Sequence, residues 1–163
     1  VTEVCFVGDA DCDLQYELLS RETAREALST YDLRRPFENA LALSTVSLGA
    51  AVSLCNDLNW YIVRFVDDVL VREPSVDDDE WLSRDLATAV RDGDVDGAST
   101  GEYLKLYGLE TPEPTPEDPN PKGPPALVEP LYVSRQDGAV PEYDLRDVDD
   151  TVVVRLTEAE FTI

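Results

Sequence analysis

Two hydrophobic periods alternate along this chain, and the switches between them mark its elements. Glu3-Val4-Cys5-Phe6-Val7, followed by the polar Gly8-Asp9, reads as a short buried strand ending in a turn. From Asp13 the period lengthens. Leu14, Leu18, Ala24, Ala27, Leu28 and Tyr31 fall near one helical face with Arg and Glu opposite, and Pro36 closes the unit. Leu43, Val46, Ala50, Leu54 and Leu58 recur at threes and fours between Ala40 and Leu58, which predicts a largely buried helix whose beginning could be extended. Trp60 to Val66 and Val69 to Arg72 are dense in β-branched and aromatic residues around Asp67-Asp68, the pattern of a hairpin, although no glycine supplies the turn's positive φ. Asp77 to Glu80 then precede Trp81, Leu82, Leu86, Ala89 and Val90, so acids open a helix and Arg91 sits near its end, each complementing the helix dipole. Ser99-Thr100-Gly101-Glu102 has capping-box spacing before Tyr103, Leu104 and Tyr107, with Gly108 as the residue past the helix end.

Thr111 to Pro125 holds seven of the eleven prolines and no large apolar residue, which marks a spacer or exposed insertion. Beyond it, Leu127 to Val133 and Thr151 to Leu156 read as strands, with Gln136-Asp137-Gly138 as a turn, and Pro130 confines the first strand to an edge or bulge. The expected organisation is an α+β core over 1–110, a proline-rich acidic linker over 111–125 and a C-terminal β segment over 126–163 packed on the core. The fold class is α+β: a small mixed or antiparallel sheet with helices on one face, the order β-α-α-β-β-α being compatible with a ferredoxin-like or palm-like arrangement.

Charge changes how the polar positions are read. The chain carries 35 acidic and 13 basic residues, a net charge of −22, and no histidine. Without imidazole there is no Ser-His-Asp triad, no Cys-His pair and no His-ligated zinc, so acid-base chemistry falls to carboxylates or tyrosine. Lysine appears only at 105 and 122, against 11 arginines. An acidic surface poor in lysine resembles that of proteins from halophilic archaea. The physics agrees: the Debye length is about 3 Å at 1 M salt, so such a charge repels itself little there. Most exposed acids are then solvation, and direct binding to nucleic acid or an anionic membrane is disfavoured. Residues 1–66 carry ten acids and five bases, while residues 67–163 carry 25 and eight. The less acidic part is therefore the candidate face for a protein partner, although a larger share of core would account for it equally. Val1-Thr2-Glu3 lacks a basic region typical of a secretion signal, and Asn39 to Asn56 is too polar and short for a membrane span, so a cytoplasmic location is expected.

Candidate chemistry rests on few residues. Cys5, Cys12 and Cys55 show no metal-binding or disulfide spacing; Cys5 and Cys55 read as buried thiols, and Cys12 lies among Asp9, Asp11 and Asp13. Asp9-x-Asp11-x-Asp13 opens like a calcium loop but has Leu14 and Ser20 where glycine and glutamate are needed. Tyr16, Tyr31, Trp60, Tyr61 and Trp81 fall within periodic apolar faces, which favours core packing over a ligand cleft. Arg64-Phe65-Val66-Asp67-Asp68-Val69-Leu70-Val71 resembles the Tyr-x-Asp-Asp hairpin of reverse transcriptases, with Phe65 in place of the tyrosine. That resemblance implies a metal site at Asp9, Asp67 and Asp68 holding two magnesium ions for attack on a nucleotide phosphate. Against it, 20 aspartates in this chain generate Asp-Asp pairs by composition, and four occur.

Tyr16 to Leu28, Leu58-Asn59-Trp60-Tyr61 with Asp67-Asp68, and Val140 to Arg146 resemble a family of uncharacterised proteins of halophilic archaea, a domain of unknown function. The resemblance implies no assigned activity. Two functions are expected from different classes. The first is a non-enzymatic cytoplasmic accessory or interaction protein, without cofactor, meeting a partner through residues 1–66. The alternative is a magnesium-dependent nucleotidyl- or phosphoryl-transfer enzyme using Asp9, Asp67 and Asp68.

Overall fold

Seven strands form one mixed, mostly antiparallel sheet in the computed structural model, which describes residues 1–162. They are β1 (Thr2–Gly8), β2 (Ala40–Thr45), β3 (Val66–Arg72), β4 (Trp81–Ser83), β5 (Tyr103–Glu110), β6 (Ala126–Ser134) and β7 (Asp150–Leu156), in the spatial order β2-β1-β3-β4-β7-β5-β6. Only β4 and β7 run parallel. Six helices accompany them among the described residues: α1 (Leu14–Leu19), α2 (Glu22–Leu28), α3 (Leu48–Asp57), α4 (Asn59–Phe65), α5 (Arg84–Asp92) and α6 (Glu158–Phe161). The α+β class and the mostly antiparallel sheet are as the pattern predicts. Several elements differ, each for a local reason.

The helical stretch after Asp13 divides in two, because Arg21 adopts an extended conformation between α1 and α2. Ala40 to Thr45 is a strand, and Ser47 caps α3 by accepting from the Ala50 amide at 3.1 Å. A continuous Ala-Leu-Ala-Leu run carries no periodicity that separates a strand buried on both faces from a buried helix. Asn59 to Phe65 is a helix despite its strand-forming residues: Tyr61 and Ile62 reach the core while Trp60, Val63 and Arg64 face outward. Tertiary burial of one stripe overrides propensity there. Asp67-Asp68 therefore lies inside β3, and the expected hairpin does not form. Trp81 and Leu82 belong to β4; α5 starts at Arg84 with Ser83 as its cap and ends at Gly93, whose φ is 78°. Tyr103 to Glu110 is a strand. Gly108 lies within it because a Cβ there would stand 2.5 Å from Val148 Cγ1. Pro130 sits where Leu106 pairs with Leu131 but Gly108 with Val128, a bulge on the edge strand β6, so its missing N–H costs no ladder bond.

The sheet buries both faces. On one, Val4, Phe6, Leu43 and Val71 pack beneath α1 to α5. On the other, Cys5, Leu70, Trp81, Tyr107, Val154 and Leu156 form a second core closed by Phe37. The sheet curls around this second core. Asp68 on β3 touches Lys105 and Tyr107 on β5 although β4 and β7 lie between them, and Glu38 N donates to Pro125 O at 2.8 Å, joining the segments that lead into the two edge strands. Residues 111–125 carry no helix or strand and link β5 to β6. The seam between β4 and β7 has only two residue pairs, Trp81 with Val154 and Leu82 with Arg155, against seven for β5 with β7. Among the described residues, four ion pairs bridge that seam: Lys105–Asp68, Arg135–Glu80, Arg155–Glu80 and Arg155–Asp77.

Candidate functional site

The three carboxylates singled out from the sequence meet at one end of the curled face, but in different roles. Val7 pairs with Asp68 and Gly8 with Val66, which leaves Asp67 as the extra residue of a β-bulge. A bulge suspends strand alternation, and this lets Asp67 and its neighbour Asp68 both act on Tyr107. Asp9 follows directly, its amide donating to Phe65 O at 2.9 Å and its carboxylate accepting from the Asp11 amide at 3.0 Å. Asn39, at φ 56°, stitches this corner by donating to the carbonyls of Asp9 and Cys12 and accepting from the Leu14 amide. An open cavity of about 440 Å³ results, with Asp9, Glu38 and Asp67 at its rim and Val7, Tyr107 and Leu127 as walls.

Asp68 does not line this cavity. One of its oxygens accepts from Lys105 Nζ and from the Tyr107 hydroxyl, at 2.7 Å for the latter, and the other accepts from the Val69 amide at 3.0 Å. The Asp68 and Lys105 side chains are only 14% and 12% exposed, so this is a largely desolvated pair. Burial, reinforced by the Asp68 carboxylate, raises the Tyr107 hydroxyl far above the ordinary tyrosine range, which fixes Tyr107 as a donor. Asp9 and Asp67 thus share a cavity, while Asp68 is committed elsewhere. Among the described residues no group of three or more acidic or thiol side chains is arranged to hold a metal ion.

The sequence pattern does not point to Lys105 and Tyr107, because the capping-box spacing at Ser99–Glu102 puts both on a helix, whereas they lie on β5. The available signal was composition: Lys105 is one of two lysines in a chain that otherwise uses arginine. The thiols are as free as their spacing suggests. Desolvation pushes Cys5 up to about 12 and Cys55 up to about 11, so both remain neutral thiols. Burial and then the nearby Asp9 carboxylate raise Cys12, whose thiol donates to Phe65 O at 3.3 Å.

Two aromatic residues expected in the core are instead on the surface. Tyr16 is 66% and Trp60 50% exposed, and Val63, one turn from Trp60 on α4, is 70% exposed. The Arg64 guanidinium lies 3.9 Å from the Trp60 ring, and Arg21 lies 4.7 Å from the Phe65 ring, which in turn sits 6.3 Å from Trp60. Glu17 on α1, which pairs with Arg21 in the linker that follows, continues this strip.

A family model matches residues 2–109, two thirds of the chain. The chain belongs to the family of unknown function DUF5804. No curated protein and no solved structure matches it. The family region contains β1 to β4, α1 to α5 and nearly all of β5; β7, which separates β4 from β5, comes from outside the matched stretch. Among the described residues no helix is long and apolar enough to cross a membrane.

Proposed function

We propose that this member of the family is a non-enzymatic, cytoplasmic accessory protein of a halophilic archaeon, and that it binds a protein partner through residues 1–66. The observation that carries this reading is the exposed α4 strip, where Trp60 and Val63 stand in water beside two guanidinium groups. Trp and Arg are the residue types enriched at binding hot spots, since both bury large areas and make directional contacts. The strip also lies in the less acidic part of a chain whose net charge is −22, where an approaching acidic protein meets the least repulsion.

Affinity capture at molar KCl is expected to recover a stoichiometric partner with the parent chain. Trp60→Ala with Val63→Asp should abolish that recovery and leave the far-UV circular dichroism spectrum unchanged, because Tyr61 and Ile62, the buried residues of α4, are kept. A strictly monomeric chain without a partner, or full recovery by the double variant, would overturn the proposal. The halophilic origin has its own check. Screening should raise the melting temperature steeply from about 0.1 M to about 3 M KCl, as repulsion among the acids falls with the Debye length. A flat response contradicts it.

A further inference from the structure

We propose that the concave face of the sheet binds a small apolar zwitterion of the α-amino-acid type, held between Lys105 and Glu160. This site is separate from the α4 strip. It opens as a cavity of about 500 Å³ lined by Lys105, Tyr132, Leu156, Glu160 and Phe161, within the size range of small-molecule sites.

Both charges are fixed before any ligand arrives. Lys105 and Tyr132 are direct partners across β5 and β6, and Asp68 holds the Lys105 ammonium from below while its nitrogen stands 6.0 Å from the Tyr132 ring. One Glu160 oxygen accepts from Ser83 Oγ at 2.6 Å and from the Thr157 amide at 2.9 Å, the second bond being half of the capping box that starts α6. Among the described residues, the other Glu160 oxygen and two of the three Lys105 N–H groups have no hydrogen-bond partner. Phe161 is braced against the Tyr103 ring at 4.9 Å, and Tyr132 is 52% exposed. The apolar walls are thus rigid on one side and accessible on the other.

Charge selects among occupants. Asp68 already neutralises Lys105 and Glu160 adds a negative charge, so a simple anion gains little there. A simple cation satisfies Glu160 but leaves the Lys105 donors unused. A zwitterion offers its carboxylate to Lys105 and its ammonium to Glu160, while an apolar side chain covers Leu156 between the Tyr132 and Phe161 rings. The two polar contacts are charge-assisted hydrogen bonds, the stronger class.

The test uses the full chain labelled with ¹³C at lysine, which contributes two sets of εCH₂ signals, from Lys105 and from Lys122 as the internal control. L-phenylalanine is expected to shift the Lys105 signal saturably and leave Lys122 unmoved. 3-Phenylpropionate and 2-phenylethylamine, each lacking one charge, should bind about tenfold or more weakly. Glu160→Gln keeps an acceptor for Ser83 and Thr157 and removes the charge. It should weaken phenylalanine by a similar factor and strengthen phenylpropionate, which no longer meets a like charge, with an unaltered near-UV circular dichroism spectrum showing that the fold persists. Absence of a saturable shift, equal shifts at both lysines, or phenylethylamine binding as tightly as phenylalanine would overturn the proposal.

Discussion

Asp68→Ala is expected to cost the fold about 3–5 kcal/mol, the usual loss when one member of a buried ion pair is removed. The cost arises on the partners left behind. Lys105 keeps its charge on a side chain that is 12% exposed, and the Tyr107 hydroxyl loses its acceptor within the second core. Asp68→Asn should cost less, since the carboxamide oxygen still accepts from Tyr107, but it leaves the Lys105 charge uncompensated. Asp68→Ala combined with Lys105→Met should recover much of the loss, because an apolar replacement of a buried pair is often close to neutral. Urea unfolding at fixed KCl measures all three. If Asp68→Ala stays within about 1 kcal/mol of the parent, the pair is not structural. A carboxylate held for magnesium chemistry predicts the opposite pattern: lost metal binding at unchanged stability.

The second large effect is expected at Glu80. One Glu80 oxygen takes Arg135 at 2.6 Å and Arg155 at 2.7 Å, so one carboxylate serves two guanidinium groups, with side-chain exposures of 22% and 12%. Arg135 also donates to Gly101 O at 2.7 Å and Arg155 to Thr100 Oγ1 at 3.0 Å, which ties the loop before β5 to β6 and β7. Gly101, at φ 102°, is required there: a Cβ would stand 3.2 Å from Arg155 Nε. Glu80→Ala should therefore cost about 3 kcal/mol or more and act on one place in the sheet. Two cationic side chains would face each other beside a β4–β7 seam of two residue pairs. Hydrogen exchange is the sensitive measurement. The amides of β4 and β7 should lose protection while those of β1 keep theirs, because local opening follows the weakest contacts. Uniform loss across the sheet would show that the seam is not a distinct weak point. Acid should deepen the effect. Backbone N–H donation from Glu80, aided by the Asp79 amide and Arg155, holds Asp77 below the usual carboxylate range. Its stabilisation is therefore complete above the unfolded value of about 3.9 and is lost as pH falls through the folded one.

These two predictions concern residues that pattern reading ranked low or misplaced. Asp68 stood out as half of a hairpin motif, yet the hairpin dissolves once α4 is seen to run to Phe65. Strand-forming residues from Trp60 to Phe65 are helical because Tyr61 and Ile62 fill a core position that only the packed sheet creates. In the sequence pattern Glu80 is one acid among several opening a helix. Its role depends on Arg135 and Arg155, 55 and 75 residues further along. Lys105 lies 37 residues from Asp68, and local periodicity holds no information about such a partner.

What the sequence determined by itself was local or compositional. The strand at Glu3–Val7, the edge placement of Pro130, the turn at Gln136-Asp137-Gly138, the free thiols and the exclusion of histidine chemistry all follow from a few adjacent residues or from counts. Tertiary structure alone decided which apolar runs are strand or helix at Ala40–Thr45, Asn59–Phe65 and Trp81–Ser83, and which three of the 35 acids, Asp68, Asp77 and Glu80, hold the β4–β7 seam. The physical reason is the same in each case. A run buried on two faces has no period to read, and a charge acquires meaning only from the partner that the curl of the sheet brings against it.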